Sequence, residues 1–153
     1  MRRRIELTLR DLPWLVAESS ERIAGYAYAG HHHERAAYQW SVDVSVYVAA
    51  EERGKRVGHA LYACLLGIVQ DLGYYTAFAG IALPNAASVA LHESLGFRPV
   101  GVYRNAGYKL GRWHDVGWWG RPLREYEMDP RPPRKLADLN PGELQSRLAG
   151  GPL

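Results

Sequence analysis

The chain has 153 residues, 47% of them hydrophobic, which suits one domain with a real core and is too short for two comfortable ones. Its net charge of +3 is mild, and the basic residues of the C-terminal part are nearly matched by acids, so composition does not indicate a nucleic-acid partner. No apolar run approaches the ~20 residues of a membrane span, and "MRRRIELTLRD" lacks the uninterrupted apolar stretch of a secretory signal, so a cytoplasmic protein with no membrane partner is expected.

In chain order, "WLVAE" (14–18) and "IAGYAYA" (23–29) are β-prone runs separated by the polar "SSER", which predicts a hairpin. "HHHERAA" reads as a connecting loop. Residues 40–48, "WSVDVSVYV", alternate: Trp40, Val42, Val44, Val46 and Val48 point one way, and Ser41, Asp43, Ser45 and Tyr47 the other. Next comes a glycine-punctuated basic loop, and then Leu61, Leu65, Ile68 and Leu72 recur at helical spacing up to a stop at Gly73. "YYTAFAGI" (74–81) is a further strand. Pro84 and Asn85 start a helix over residues 86–95, and Gly96 ends it. "FRPVGVYR" and "WHDVGWWG" are strand-like and joined by "NAGYKLGR". From Arg121 onward prolines scatter through a charged stretch, whose one ordered candidate is Asn140 as N-cap and Pro141 at the first position of a helix through "GELQSRLA". The order of strands, helix, strand, helix and strands predicts an α/β sheet with helical crossovers.

The loop ahead of the long helix carries chemistry. The first turn of a helix leaves backbone N–H groups unpaired and the dipole adds partial positive charge there, so an anion such as phosphate is a natural guest. Gly54 and Gly58 permit close backbone approach, and Arg53, Lys55 and Arg56 surround it with charge. The plainer alternative is a solvated basic turn. The single cysteine, Cys64, sits within the apolar helical pattern and reads as a small core residue rather than a nucleophile. His31, His32 and His33 are adjacent in one short loop with no carboxylate or cysteine at ligand spacing, so no metal site is expected.

A strand ending in "VYV", the basic glycine loop, a helix, a strand, "LPNAASVALHESLGF" and a closing "WHDVGWW" together resemble the GNAT superfamily of acyl-CoA N-acetyltransferases, and within it the phosphinothricin N-acetyltransferase type. The resemblance runs from about Pro13 to Trp119. It implies a mixed, mostly antiparallel α/β sheet flanked by helices in a single domain over residues 1–121, followed by a Pro-rich charged tail over residues 122–153. The implied reaction moves acetyl from acetyl-CoA to the α-amino group of a small amino-acid analogue such as phosphinothricin or methionine sulfoximine. A homodimer is implied as well.

By the same resemblance, Arg53, Gly54, Lys55, Arg56, Val57 and Gly58 match the family's pyrophosphate motif, with His59 beside them. Val46, Tyr47 and Val48 match the strand segment that bonds the pantetheine arm, and Asn85 and Ser88 match polar positions that approach the cofactor. Arg56 stands where the motif has its first glycine: harmless if φ there is negative, straining if it is positive. Only about a dozen residues precede "PWLVAE", where family members carry a strand and two helices. "RRRIELTLRD" is either a remnant of the second helix or, through Ile5, Leu7 and Leu9, a strand substituting for the first. A start codon placed too late explains the short N-terminus equally well.

Acetyl transfer to an amine needs an unprotonated nitrogen, a thioester carbonyl held by donors, and a route for protons. Asp43 matches the family's catalytic glutamate, one methylene shorter, so a water is expected between it and the amine. His114 matches a histidine of the acceptor site, and His92 matches the helix position of a tyrosine that protonates the departing thiolate. The backbone N–H of Val46 or a neighbour is the expected carbonyl donor. Arg104, Tyr108 and Lys109 are the expected acceptor-binding residues, since an acidic amino acid calls for cationic and hydroxyl donors. A non-catalytic acyl-CoA-binding module is the alternative, favoured by Arg56, by Asp43 in place of glutamate and by the short N-terminus.

Overall fold

A computed structural model describes residues 2–19 and 21–149. Six strands form one sheet: β1 (Trp14–Ser19), β2 (Arg22–His31), β3 (Ser41–Val48), β4 (Thr76–Ala82), β5 (Arg98–Lys109) and β6 (Arg112–Pro122), in the spatial order β1-β2-β3-β4-β6-β5. Among the described residues only β3 and β4 run parallel. Among the described residues four α-helices accompany them: α1 (Arg2–Thr8), α2 (Val57–Asp71), α3 (Ala86–Ser94) and α4 (Pro141–Ala149). This is the mixed, mostly antiparallel α/β architecture expected from the sequence. The N-terminal segment, left open between helix and strand, is helical. Ser20, in the expected hairpin turn, lies outside the described residues.

Alternation along the strands sorts the sheet into two faces. Ala27, Ala29, Val42, Val44, Ala77, Ala79 and Ile81 are buried on one face, against which α2 packs its predicted stripe of Leu61, Leu65, Ile68 and Leu72. Each of the four α2 side chains of this stripe, removed from water, contributes about 1.5–3 kcal/mol. The other face carries Tyr26, Tyr28, Asp43, Ser45, Tyr47, Phe78 and Trp118, and there α1 lays Arg4 over the rings of Trp14 and Tyr28. Gly73, at φ +99°, ends α2 as expected.

Three elements differ from the sequence reading. β2 runs to His31, two residues past its expected end. "NAGYKLGR" is not a loop: β5 and β6 extend through it and meet at a two-residue turn, Leu110 and Gly111, whose φ angles of +52° and +75° match the right-handed twist of a hairpin. The Pro-rich segment after β6 is fastened to one end of the sheet. Leu123 N–H bonds Tyr75 C=O, Trp40 Nε1 bonds Arg131 C=O, Arg134 N–H bonds Leu72 C=O and Leu136 N–H bonds Asp11 C=O. Arg147 of α4 then grips Asp71 with two hydrogen bonds of 2.7 Å.

Candidate active site

The parallel pair β3 and β4 is short. Residues 41–43 pair with 76–78, and among the described residues no pairing follows, although β3 continues to Val48 and β4 to Ala82. The two strands therefore diverge just beyond Asp43 and Phe78, and one edge of β3 is left without a partner strand over residues 44–48. An extended ligand can bond such an edge as an added strand. Val46 and Val48 turn their side chains toward α2, and Tyr47, half exposed, stacks on Tyr26 at 5.0 Å.

At the wide end of this cleft stands the N-terminus of α2. Its first intrahelical bond is Ala60 N–H to Arg56 C=O, so the N–H groups of Val57, Gly58 and His59 have no acceptor within the helix. Among the described residues no side chain caps them. Gly58 is buried, and a Cβ there would meet Leu91 Cδ2 at 3.1 Å and Val48 Cγ2 at 3.3 Å, so its lack of a side chain lets the helix start press against β3 and α3. Gly54 takes φ +77°. Arg56 adopts φ +64°, ψ +8°, the left-handed conformation, so the straining branch of the sequence reading applies. Arg53 and Arg56 are exposed, while Lys55 pairs with Glu52 at 3.2 Å. Exposed cations around free amides suit a pyrophosphate.

Asp43 lies where the strands part. Its Oδ1 accepts a 2.7 Å hydrogen bond from Nδ1–H of His32, a residue to which the sequence reading gave no role. Burial pushes the Asp43 carboxyl above the ordinary range, and the hydrogen bond and charge of His32 pull it partly back. The His32 ring stacks on Phe78 at 4.6 Å and 27° and meets Trp118 edge-on at 6.2 Å. The Trp118 indole N–H is buried without a partner among the described residues. The signal for His32 was strand parity: Gly30 stands opposite Asp43, so one more pleat beyond the expected end of β2 puts residue 32 on the face of Asp43.

Other expected residues lie elsewhere. His92 is 3% exposed, donates from Nδ1 to Ser88 C=O at 2.7 Å and accepts at Nε2 from the Tyr62 hydroxyl at 3.0 Å. Burial holds its ring below the ordinary histidine range. This geometry makes His92 a core residue tying α3 to α2 and leaves it no nitrogen for a thiolate. Asn85 caps α3 by accepting from Ser88 N–H at 3.2 Å, so both residues organise a helix start beside the cleft. Cys64 is half-buried, and burial pushes its thiol up.

His114 and Arg104 border an open hollow with Leu83, Pro84, Trp113 and Asp115. His114 Nε2 donates to Lys109 C=O at 3.1 Å, Arg104 and Asn105 N–H both bond the Asp115 carboxylate, and Tyr108 packs edge-on against Trp113. Phe78, the partner of Asp43, pairs with Gly120, six residues along β6 from His114. At ~3.3 Å per residue that is roughly 20 Å along the strand. The structure thus brings Asp43 together with His32, not with His114, Arg104, Tyr108 or Lys109.

Comparison with known proteins fits this geometry. Residues 1–118 match the acetyltransferase (GNAT) domain family. The chain is 45% identical over 127 residues to phosphinothricin N-acetyltransferase of Streptomyces viridochromogenes, covering 83% of this chain and 69% of that protein. It is 35% identical over 118 residues to L-methionine sulfoximine/L-methionine sulfone acetyltransferase of Salmonella typhimurium, covering 77% and 69%. It also superposes, with a TM-score of 0.75 and 36% identity over 84% of this chain and 70% of the other, on a phosphinothricin acetyltransferase from Sinorhizobium meliloti solved in complex with acetyl-CoA. The chain spans between 53% and 69% of the length of the first relatives it matches. With a sheet that splits beside an uncapped, glycine-backed helix start, and with that match over residues 1–118, the chain belongs to the GNAT family of acetyl-CoA-dependent acetyltransferases.

Proposed function

We propose that this protein transfers acetyl from acetyl-CoA to the α-amino group of a small, acidic amino-acid analogue of the phosphinothricin or methionine sulfoximine kind. The observation that carries the reading is the parting of β3 from β4 just past Asp43, with the naked start of α2 at its wide end. One end offers a proton acceptor and the other an anion cradle, and an unpaired strand edge lies between them. The names of the relatives support the choice of acceptor.

The residues divide the work by position. The N–H groups of Val57, Gly58 and His59, with Arg53 and Arg56, would hold the pyrophosphate, and the edge of β3 at Val46, Tyr47 and Val48 would hold the pantetheine arm. Acetyl-CoA supplies the acetyl group as an activated thioester. A backbone N–H of β3 near Val46 would offer a donor to the thioester carbonyl, and Asp43 would anchor the route by which the ammonium loses its proton. For the acidic end of the acceptor, Arg4 is offered on the same face as Asp43. It lies over Tyr28, which pairs with Ser45, two residues and about 7 Å along the strand from Asp43. This replaces Arg104, Tyr108 and Lys109 in the reading.

A homodimer acting in the cytoplasm, on a small molecule rather than on nucleic acid or membrane, completes the proposal. The dimer is supported by β5, a 12-residue outer strand that exposes Val100, Val102 and Tyr103. The test is release of CoA thiol from acetyl-CoA across a panel of amino acids that includes phosphinothricin and methionine sulfoximine. Acceptor-dependent release with the acidic analogues is expected. Tight acetyl-CoA binding with no release for any amine would identify a non-catalytic acyl-CoA module instead.

A further inference from the structure

The carboxylate at the parting of the strands is an aspartate, too short to reach far beyond the sheet, yet it is not left to act through water. His32 covers it, with Nδ1–H on Asp43 Oδ1 at 2.7 Å. The ring is fixed from several sides: Phe78 of β4 stacks on it, Trp118 of β6 meets it edge-on, and His33 leans an edge on it at 4.6 Å. Asp43 and His33 are the titratable groups facing it, and the residues from β4 and β6 are neutral.

Because the carboxylate accepts from Nδ1–H, the neutral ring carries its lone pair at Nε2. Among the described residues Nε2 has no hydrogen-bond partner, and the side chain keeps 22% of its surface exposed. Resting on the acetyl-transfer reading above, we propose that His32 and Asp43 act as one imidazole–carboxylate pair in which Nε2 of His32 takes the proton from the acceptor ammonium.

The step balances without a further reagent. The ammonium gives one proton to Nε2, and the resulting imidazolium is held by the Asp43 carboxylate. The nitrogen lone pair forms the C–N bond of the amide while the C–S bond breaks. The second N–H proton passes to the departing sulfur, giving the thiol, and His32 returns its proton to solvent. Asp43 positions the ring and fixes its tautomer, and His32 is the group that touches the substrate. The unpartnered indole N–H of Trp118 adds a donor beside the ring for an oxygen of the acceptor.

Two measurements test the pair. In the protein without ligands, ¹⁵N correlation spectra of the histidine rings should show neutral His32 protonated at Nδ1, and Asp43→Asn should shift it toward the Nε2–H form; an Nε2–H ring in the unsubstituted protein overturns the proposal. In thiol-release assays His32→Gln, which can still hydrogen-bond Asp43 but cannot carry a proton, should lose about 10²- to 10⁴-fold in turnover with acetyl-CoA affinity unchanged. Asp43→Asn combined with His32→Gln should lose no more than about twofold beyond the worse single variant, as expected for groups acting as a unit. Turnover of His32→Gln within twofold of the unsubstituted protein removes His32 as the base and leaves acetyl transfer standing. Absence of thiol release from the unsubstituted protein with every amine removes both.

Discussion

Two helices of this molecule begin in opposite ways. α4 opens with a complete reciprocal cap: Asn140 Oδ1 accepts from Glu143 N–H at 2.9 Å, and Glu143 Oε2 accepts from Asn140 N–H at 3.0 Å. α2 opens with no side-chain cap among the described residues, behind an arginine in a conformation that arginine disfavours. The first helix start answers its own free amides, and α4 then serves to fasten Arg147 to Asp71 at the closed end of the sheet. The second leaves its amides facing the open end, where a ligand can complete them. The helix that fastens the tail satisfies its start internally, while the helix proposed to hold the cofactor keeps part of its start unsatisfied.

The contrast breaks most severely at Gly58. A valine there adds three carbons at a point where the first already sits 3.1 Å from Leu91 and 3.3 Å from Val48, so the start of α2 must back away from the cleft. Overpacking of this kind costs about 1–3 kcal/mol. We expect Gly58→Val to weaken acetyl-CoA binding at least ~10-fold, which corresponds to about 1.4 kcal/mol. Calorimetric titration checks this, and an unchanged affinity would take the start of α2 out of the cofactor site.

A smaller effect of the opposite kind is expected at α4. Asn140→Ala removes the capping acceptor at a cost of about 1 kcal/mol, which lowers the melting temperature by roughly 3 °C in a chain of this size. Affinity for acetyl-CoA should not change. A loss of affinity as large as the loss of stability would show that the two helix starts are not separate devices.

How far the sequence foretold this arrangement follows from which signals are local. The stripe from Leu61 to Leu72, the cap at Asn85 and the Asn140–Pro141 start are set by neighbours a few residues apart, and each was legible. The proposed anion cradle also rests on a local signal, since glycines and cations stand in one short loop. The partnership of His32 with Asp43 was not, because it depends on the register of β2 against β3 and on two residues at the frayed end of a strand, where boundaries are read worst. His92 was misjudged because burial is a tertiary property: nothing in "LHESLGF" says that Tyr62, thirty residues away, closes over the ring. The long β5–β6 hairpin was missed through a turn whose Leu110 takes positive φ without being glycine or asparagine.

The mildest test concerns Arg56, where the two demands on α2 pull against each other. A left-handed arginine costs roughly 1–2 kcal/mol relative to a residue without Cβ, and about 0.4–1 kcal/mol of that is returned because arginine restricts the unfolded chain more than glycine does. Arg56→Gly should therefore raise the melting temperature by only ~1–3 °C. It also removes an exposed cation beside the free N–H groups of Val57, Gly58 and His59. An exposed ion pair contributes about 0.2–1 kcal/mol, so acetyl-CoA should bind up to about fivefold more weakly at low ionic strength. The deficit should shrink as salt rises, because the Debye length falls from about 10 Å at 0.1 M to about 3 Å at 1 M. Paired melting curves and titrations at low and high salt read both terms. Opposite signs, with stability up and low-salt affinity down, are the expected result. A rise in both would mean that strain alone governs the loop and that the guanidinium contributes nothing to the anion, and a fall in stability would mean that the left-handed turn is held by contacts of the Arg56 side chain rather than merely tolerated by it.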